Sequence, residues 1–411
     1  MKELATHADR EPVGLESART AVQTTICMLF LEVPGRTEAR LMRDAIALVQ
    51  GGFNVTIVDV ENDRTRPQEE DIEGVHFYHL FSSAWYTPTR FKLWFPVKLA
   101  FILARSAISL ARLPADIYHV HVEKAFLAAY FAARWRRKPL LFDSPDLPLS
   151  DPHLMNSRVL KGLAGYALKS MVPHCVRIIT ASPFYAQEIR KTYPHPEVSV
   201  ILNVPPYQEV EKSDRLRQQL GLAAHVRIAL YQGNIQPDRE LERLVYAARH
   251  LEPDIVIVMM GRGLRGVPEQ LQELIAREGV ADRVKIIPAV PYAELLDWTT
   301  SADIGLTLFS PEYSTSIRYT LPNKLFEYLM AGLPVLSMKL EAIAEVLQSY
   351  DVGHVIQSLE PSEIAAGINS MLAEPELLER MKQNALAIAR EKFNWEKERL
   401  HLLRIYHEVL S

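Results

Sequence analysis

Cysteine is almost missing from this chain of 411 residues: Cys27 and Cys175 stand alone, far apart and without Cys-x-x-Cys spacing. That excludes a disulfide framework and a zinc knuckle, and a reducing, cytoplasmic compartment is expected. A surplus of charge of one sign is also lacking. Lys plus Arg number 46 against 50 Asp plus Glu, a net of −4, which argues against a nucleic-acid binder held by a basic surface. Long apolar runs are absent as well. The greasiest stretch, Phe91–Leu113, is interrupted by Lys92, Lys98, Arg105 and Arg112, short of the roughly 18 uncharged residues a spanning helix needs. Residues 1–24 are polar and mixed in charge, and the first apolar run, Ile26–Leu31, is too short for a signal-peptide core, so no targeting segment is expected.

What is present is ordinary globular material, 48% hydrophobic and 23% charged, long enough for two or three domains. Short apolar runs alternate with longer helical patterns, the signature of parallel sheets built from βαβ units. Strands are expected at Thr25–Leu31, Asn54–Asp59, Val75–His79, Asp116–His121, Pro139–Phe142, Val176–Thr180 and Val198–Leu202. A second series follows at Val226–Tyr231, Asp254–Met260, Val284–Pro288, Ile304–Leu308 and Pro334–Ser337. Glu38–Gln50 has apolar residues at helical spacing and stops at Gly51-Gly52, and Ser182-Pro183 opens another helix as cap and first position. Pro205-Pro206 and the charged stretch after it mark a boundary. The expectation is two doubly wound α/β domains, 1–205 and 206–390, with 391–411 a terminal helix packing back on the first. Such sheets bind ligands beyond the carboxyl ends of their strands, which points to the cleft between the domains.

Gly261-Arg262-Gly263-Leu264-Arg265-Gly266 matches G-x-G-x-x-G after a strand and before a helix. It lies in the second strand-helix unit of its domain, and the next strand, Val284–Pro288, ends without the acid that would hold an adenosine ribose. A glycine turn that permits close approach to a ligand or a neighbouring strand is the better reading. More informative is Pro322-Asn323-Lys324-Leu325-Phe326-Glu327-Tyr328-Leu329-Met330-Ala331-Gly332-Leu333-Pro334, a helix delimited at both ends. Its start offers free N–H groups and the Lys324 cation to a phosphate, and Glu327 one turn later can accept from a sugar diol. An i, i+3 ion pair without function explains the same spacing equally well.

From Val226 to about Gly353 the chain resembles the nucleotide-binding domain of retaining GT-B glycosyltransferases, the group called family 4. The resemblance is carried by Tyr231-Gln232-Gly233-Asn234, Asp238-Arg239, Met260-Gly261-Arg262-Gly263, Trp298 to Leu306 and Asn323-Lys324-Leu325-Phe326-Glu327-Tyr328. The first half is similar more loosely, through Glu38 to Ala45, Asp116 to His121, Asp143-Ser144-Pro145-Asp146-Leu147 and Asn203-Val204-Pro205. The resemblance implies two Rossmann-like domains and a nucleoside diphosphate sugar gripped by the second. It implies donor contacts at Gly233, Asn234, Arg239, Gly261, Gly263, Asn323, Lys324 and Glu327. Arg239 and Lys324 would stabilise the departing diphosphate, and Glu327 would accept from ribose. No metal or other cofactor is expected, and the chain has no Asp-x-Asp motif.

Three positions depart from the family pattern. Asn234 replaces an arginine, Tyr319 stands where the first of two glutamates is usual, and Pro145 fills the slot of a histidine that contacts the donor sugar. Asp146 and His121 are the remaining candidates for handling the acceptor hydroxyl, each with a structural reading as cap or strand-end residue. Arg36 is a further cleft candidate without a role. From Trp85 to Lys138 ten Lys and Arg face only Asp116 and Glu123, interleaved with Trp85, Tyr86, Phe91, Trp94, Phe95 and Phe101. Residues 85–113 thus suit an anionic membrane surface near a lipid-linked acceptor, or a crossover helix with a solvated basic face. The expected function is transfer of a sugar to a hydroxyl with retained configuration, in assembly of a cell-surface polysaccharide or glycolipid. A nucleotide-sugar epimerase and a degenerate partner subunit remain as alternatives.

Overall fold

The structure, a computed structural model, describes residues 23–81, 94–150 and 158–411. Eight strands form the first sheet: β1 (Thr25–Leu29), β2 (Asn54–Glu61), β3 (Glu69–Ile72), β4 (Val75–Phe81), β5 (Ile117–His121), β6 (Leu140–Ser144), β7 (Arg177–Thr180) and β8 (Glu197–Val200). Their order is β3-β4-β2-β1-β5-β6-β7-β8, parallel except for β3, which runs against β4. Six more form the second: β9 (Arg227–Gln232), β10 (Ile255–Gly261), β11 (Val284–Pro288), β12 (Ile304–Thr307), β13 (Val335–Met338) and β14 (Gly353–Ile356), ordered β11-β10-β9-β12-β13-β14 and wholly parallel. This is the expected pair of doubly wound sheets. Each sheet is covered on both faces, so its inner strands read as continuous apolar runs.

Two strands carry only a short apolar signal and were not anticipated. β3 is Glu-Glu-Asp-Ile, an edge strand held by backbone pairing to β4, and β14 follows its helix after a two-residue turn. The helix signals hold where they are local chemistry. Ser182 Oγ accepts from Phe184 N at the cap of Pro183–Thr192, and Gly332 adopts φ +68° just past Asn323–Met330. The final helix, Trp395–Leu410, returns to the first sheet, where Leu402, Ile405 and Tyr406 join Ile26, Leu41 and Ile57 in one core. Among the described residues no helix is long and apolar enough to cross a membrane.

The segment joining the sheets is gripped from two helices of the first domain's face. Arg40 donates to the Ile201 carbonyl at 3.0 Å and Arg43 to that of Val204 at 2.9 Å. Glu398 accepts from Leu202 N and Glu396 from Tyr207 N, both at 2.9 Å, and Trp395 N donates to Pro205 O at 2.9 Å.

The helix Asn323–Met330 is seated by one aromatic wedge. Tyr328 is fully buried; its hydroxyl accepts from Gln232 N at 2.8 Å and reaches the Leu230 carbonyl at 3.0 Å. Gly305 on β12 makes room for it, since a Cβ there would lie 2.4 Å from the Tyr328 ring. Gly305→Ala is therefore expected to destabilise the chain by about 1–3 kcal/mol through overpacking. Urea unfolding measures this, and an unchanged midpoint would show that the ring does not depend on that space.

Candidate active site in the interdomain cleft

Two cavities meet in the cleft. One, of about 370 Å³, opens over the carboxyl ends of β9 and β10 and the start of the Asn323–Met330 helix. The other, of about 460 Å³, lies between the ends of β5 and β6 and the segment 309–322. Arg239, Phe309 and Pro322 belong to both walls, so the cavities are neighbours across a shared partition.

The smaller cavity gathers most of the expected donor residues. Gly233, Asn234, Arg239, Gly261, Asn323, Lys324 and Glu327 line it. Gly263 does not; its Cα faces Pro268, and a Cβ would lie 2.4 Å from that ring. The glycine pattern is a packing device. A Cβ on Gly261 would lie 1.7 Å from the Gly233 carbonyl oxygen, and Gly233 itself, at φ +135°, comes close to the Lys324 side chain. Gly233 N donates to Met260 O at 3.0 Å and Ile235 N to Arg262 O at 2.9 Å, binding the two strand ends together.

Lys324 is buried and its Nζ sits 3.8 Å from the centre of the Tyr231 ring and 5.2 Å from that of Phe309. Burial, reinforced by the Arg239 charge, lowers its pKa to about 7, with Glu327 acting in the opposite sense. Glu327 is buried too, and burial raises its carboxyl above the ordinary range against a hydrogen bond from Gln232 Nε2 and the charge of Lys324. Gln232 is fixed in turn by Thr299 Oγ1 at 2.7 Å. Arg239 lies over Phe309 at 5.1 Å and pairs with Asp238 at 3.2 Å. At the helix start Asn323 Oδ1 accepts from Asn203 Nδ2 of the first domain at 2.6 Å. An ammonium, a guanidinium and helix-start N–H groups around one space are groups that can meet an anion, with a carboxyl one turn deeper.

In the larger cavity Asp146 is present, beside Pro145 and Glu123. Asp146 Oδ1 takes Tyr185 Oη at 3.2 Å and Ser316 Oγ at 3.3 Å, and Tyr185 donates to the Ser316 carbonyl at 2.8 Å, a polar link between the domains. His121 is not on either wall. It is buried beneath the cleft, 3.1 Å from Asp143 and stacked on His119 at 4.3 Å. The same Asp143 holds Arg40 through both oxygens, at 2.9 and 3.1 Å. Burial would raise the Asp143 carboxyl, but Arg40 and His121 hold it below its usual range. His119, His121 and Asp143 converge closely enough to ligate one ion, yet Arg40 already takes both carboxylate oxygens and Tyr406 takes His119 Nδ1.

Two other expectations change. Arg36 is engaged by Glu61 at the end of β2 and lines neither cavity. Tyr319, in the slot of the absent glutamate, stacks on Phe184 at 5.7 Å and serves as a domain contact. Trp85, Tyr86, Arg90, Phe91 and Lys92 lie outside the described residues. The sequence reading missed the aromatic floor of Tyr231 and Phe309, and it missed Glu123. The first is signalled only by aromatic residues at or just past strand ends, and nothing local signals the second.

The comparisons with known proteins agree with this layout. The family model described as Glycosyltransferase Family 4 matches residues 38–204, and that described as Glycosyl transferases group 1 matches 212–387. A D-inositol 3-phosphate glycosyltransferase of Streptomyces bingchenggensis is 26% identical over 249 residues, 57% of this chain and 53% of that protein. One from Streptomyces griseus is 31% identical over 205 residues, 47% and 42% of the two chains. The chain thus spans about half the length of the curated relatives it matches. Among solved structures, sucrose-phosphate synthase of Thermosynechococcus elongatus has a TM-score of 0.74 at 16% identity, covering 94% of this chain and 99% of its own. Anabaena Alr3699/HepE, solved with UDP and glucose, has a TM-score of 0.68 at 17% identity, covering 95% and 100%. With one family model over each sheet and GT-B enzymes as its structural neighbours, the chain belongs to the family 4-like glycosyltransferases of the GT-B fold.

Proposed function

We propose that the chain transfers a sugar from a nucleoside diphosphate sugar to an acceptor hydroxyl with retained anomeric configuration, in assembly of a cell-surface polysaccharide or glycolipid. The observation that carries this is the buried Lys324 ammonium beside Arg239 and the Asn323 helix start, with Glu327 one turn deeper. The diphosphate lies against the cations, and the ribose diol donates to Glu327. The sugar reaches the partition formed by Arg239 and Phe309, facing the larger cavity where the acceptor enters. In the transfer the C1–O bond to phosphate breaks, a C1–O bond to the acceptor forms, and the hydroxyl proton leaves to a phosphate oxygen on the same face. Arg239 and Lys324 stabilise the charge that grows on the leaving diphosphate. HepE has been solved with UDP-glucose on the same fold, which supports the donor class.

The melting temperature with UDP, GDP and dTDP tests the donor site, since a ligand that binds only the folded chain raises it. Lys324→Ala is expected to weaken the preferred diphosphate about tenfold to hundredfold and Glu327→Ala to abolish its shift; unchanged shifts in both refute the site. Nucleotide release that requires acceptor supports a transferase. Sugar interconversion without acceptor points to an epimerase, and binding without turnover to a degenerate partner. NMR of the product's anomeric proton tests retention.

Because the free-state pKa of Lys324 is about 7, a bound diphosphate raises it and binding takes up a proton near and above that pH. Affinity therefore falls by up to about tenfold per unit as pH rises from 7 toward the bound-state value. Calorimetry in buffers of different ionisation enthalpy measures the proton count. No uptake at pH 8 would mean that Lys324 does not touch the diphosphate.

The membrane face is the second part of the proposal. Trp94, Val97, Phe101 and Ile108 lie exposed on one side of the helix Phe95–Arg112 and its cap. Phe131 and Trp135 on Glu123–Arg136, and Leu163 and Tyr166 on Arg158–Met171, are exposed too, and all three helices pack on the same face of the first sheet. Basic residues interleave with them, which suits an anionic lipid surface. The chain is expected to float with phosphatidylglycerol vesicles and not with phosphatidylcholine, and the double variant Trp94→Ser, Phe101→Ser to lose most of that binding. Equal behaviour with both lipids would remove the membrane from the proposal.

A further inference from the structure

Resting on the transferase reading, we infer that the larger cavity accepts a sugar hydroxyl whose own ring carries no phosphate or carboxylate, and that Glu123 is its specificity-determining residue. Among the described residues its walls hold four carboxylates, Glu32, Glu123, Asp146 and Asp238, and two cations, Lys124 and Arg239. Neither cation is free. Lys124 pairs with Glu32 at 2.6 Å, and Arg239 pairs with Asp238 at 3.2 Å. Arg239 also lines the donor cavity, so a bound diphosphate draws on the same guanidinium. Once the donor is in place, the described acceptor walls keep an excess of negative charge.

Glu123 is the first residue of its helix, and Val122 before it adopts φ +62° and ψ 154°, a backbone that a β-branched residue rarely takes. The turn directs the chain along the cavity wall, where Val122, Glu123 and Lys124 all stand. Burial, and then the charges of Glu32 and Asp146, raise the Glu123 carboxyl above its ordinary range; its own backbone N–H and Lys124 oppose this. The carboxyl thus sits half-buried beside two further wall carboxylates. A phosphate or uronate here adds like charge to walls whose two described cations are already paired with carboxylates. Hydroxyls donate to carboxylates, and an ammonium neutralises them, so neutral and amino sugars suit the same walls.

The test uses the full chain saturated with whichever of UDP, GDP and dTDP gives the largest melting shift. Saturation-transfer NMR then compares methyl gluco-, galacto- and mannosides and glucosamine with the corresponding 6-phosphates and uronates. Neutral and amino sugars are expected to bind at least about tenfold better than their anionic counterparts. Glu123→Gln should narrow that gap to about threefold or less, and Glu123→Lys should reverse it. Retention of the nucleotide shift in both variants shows that they are folded with an intact donor cavity. Anionic sugars bound as well as neutral ones, no neutral or amino sugar bound, or an unaltered order in folded Glu123→Lys each overturn the inference. Loss of the nucleotide shift in the unmutated chain instead refutes the donor site on which it rests.

Discussion

A lysine ammonium buried against two aromatic rings is costly unless something anionic meets it, and the second domain is arranged around that fact. Lys324 has Tyr231 at 3.8 Å and Phe309 at 5.2 Å, and cation–π attraction in a desolvated place recovers only about 2 kcal/mol. What remains is met by loss of the proton, which is why the pKa falls to about 7, or by an anion brought against it. The helix carrying Lys324 cannot drift to relieve it, because the Tyr328 hydroxyl is tied into the β9 backbone and the ring fills the gap left by Gly305. Glu327 cannot swing over to neutralise it, because Gln232 and Thr299 hold its carboxyl in a hydrogen-bonded chain. A site whose charges are kept apart in this way is preorganised, and preorganised charge stabilises a developing phosphate charge without reorganisation.

The first domain answers this with a different economy of charge. Arg40 is spent on Asp143 and the Ile201 carbonyl, and Arg43 on Val204 and Asn203. Those contacts fix the crossing segment, and Asn203 passes the constraint to Asn323 at the donor helix start. On the opposite side of the cleft Tyr185, Asp146 and Ser316 make a second crossing. The two halves of the site are thus held in register at two places. His121 and His119 belong to this framework, since Tyr406 of the returning helix reaches His119 while burial keeps that imidazole neutral.

How much of this was legible in sequence follows from the range of the forces involved. The helix Asn323–Met330 could be read because proline, glycine and the Lys–Glu spacing are local signals, and the sheets because apolar runs are local too. The charged β3 was invisible because what places it is pairing with β4, which its own composition does not announce. His121 was a cleft candidate because a strand end usually faces a cleft, but its partner Asp143 lies on the neighbouring strand β6, and the pair turns inward. Glu123 gave no signal because its position depends on an unusual backbone at Val122 that composition does not announce. Tyr319 kept the family spacing while losing the family chemistry, and only its stacking on Phe184 explains what replaced it.

The shared partition gives the charge pattern a direction. On the proposed reading the donor sugar sits at Arg239 and Phe309, with cations on the diphosphate side and carboxylates on the other. A sugar losing its leaving group becomes positively charged near C1 and its ring oxygen. That charge then lies between a departing anion and a wall carrying Glu123 and Asp146, so the field along the cleft favours the separated state over the intact donor. The carboxylates need not bond covalently to the sugar to act in this way. The same wall that lets a neutral hydroxyl approach also lowers the energy of the cation it attacks, while an anionic acceptor would lose on approach what the cation gained. On the proposed reading, acceptor selection and transition-state stabilisation are two consequences of one distribution of charge, the unlike walls on the two sides of Arg239.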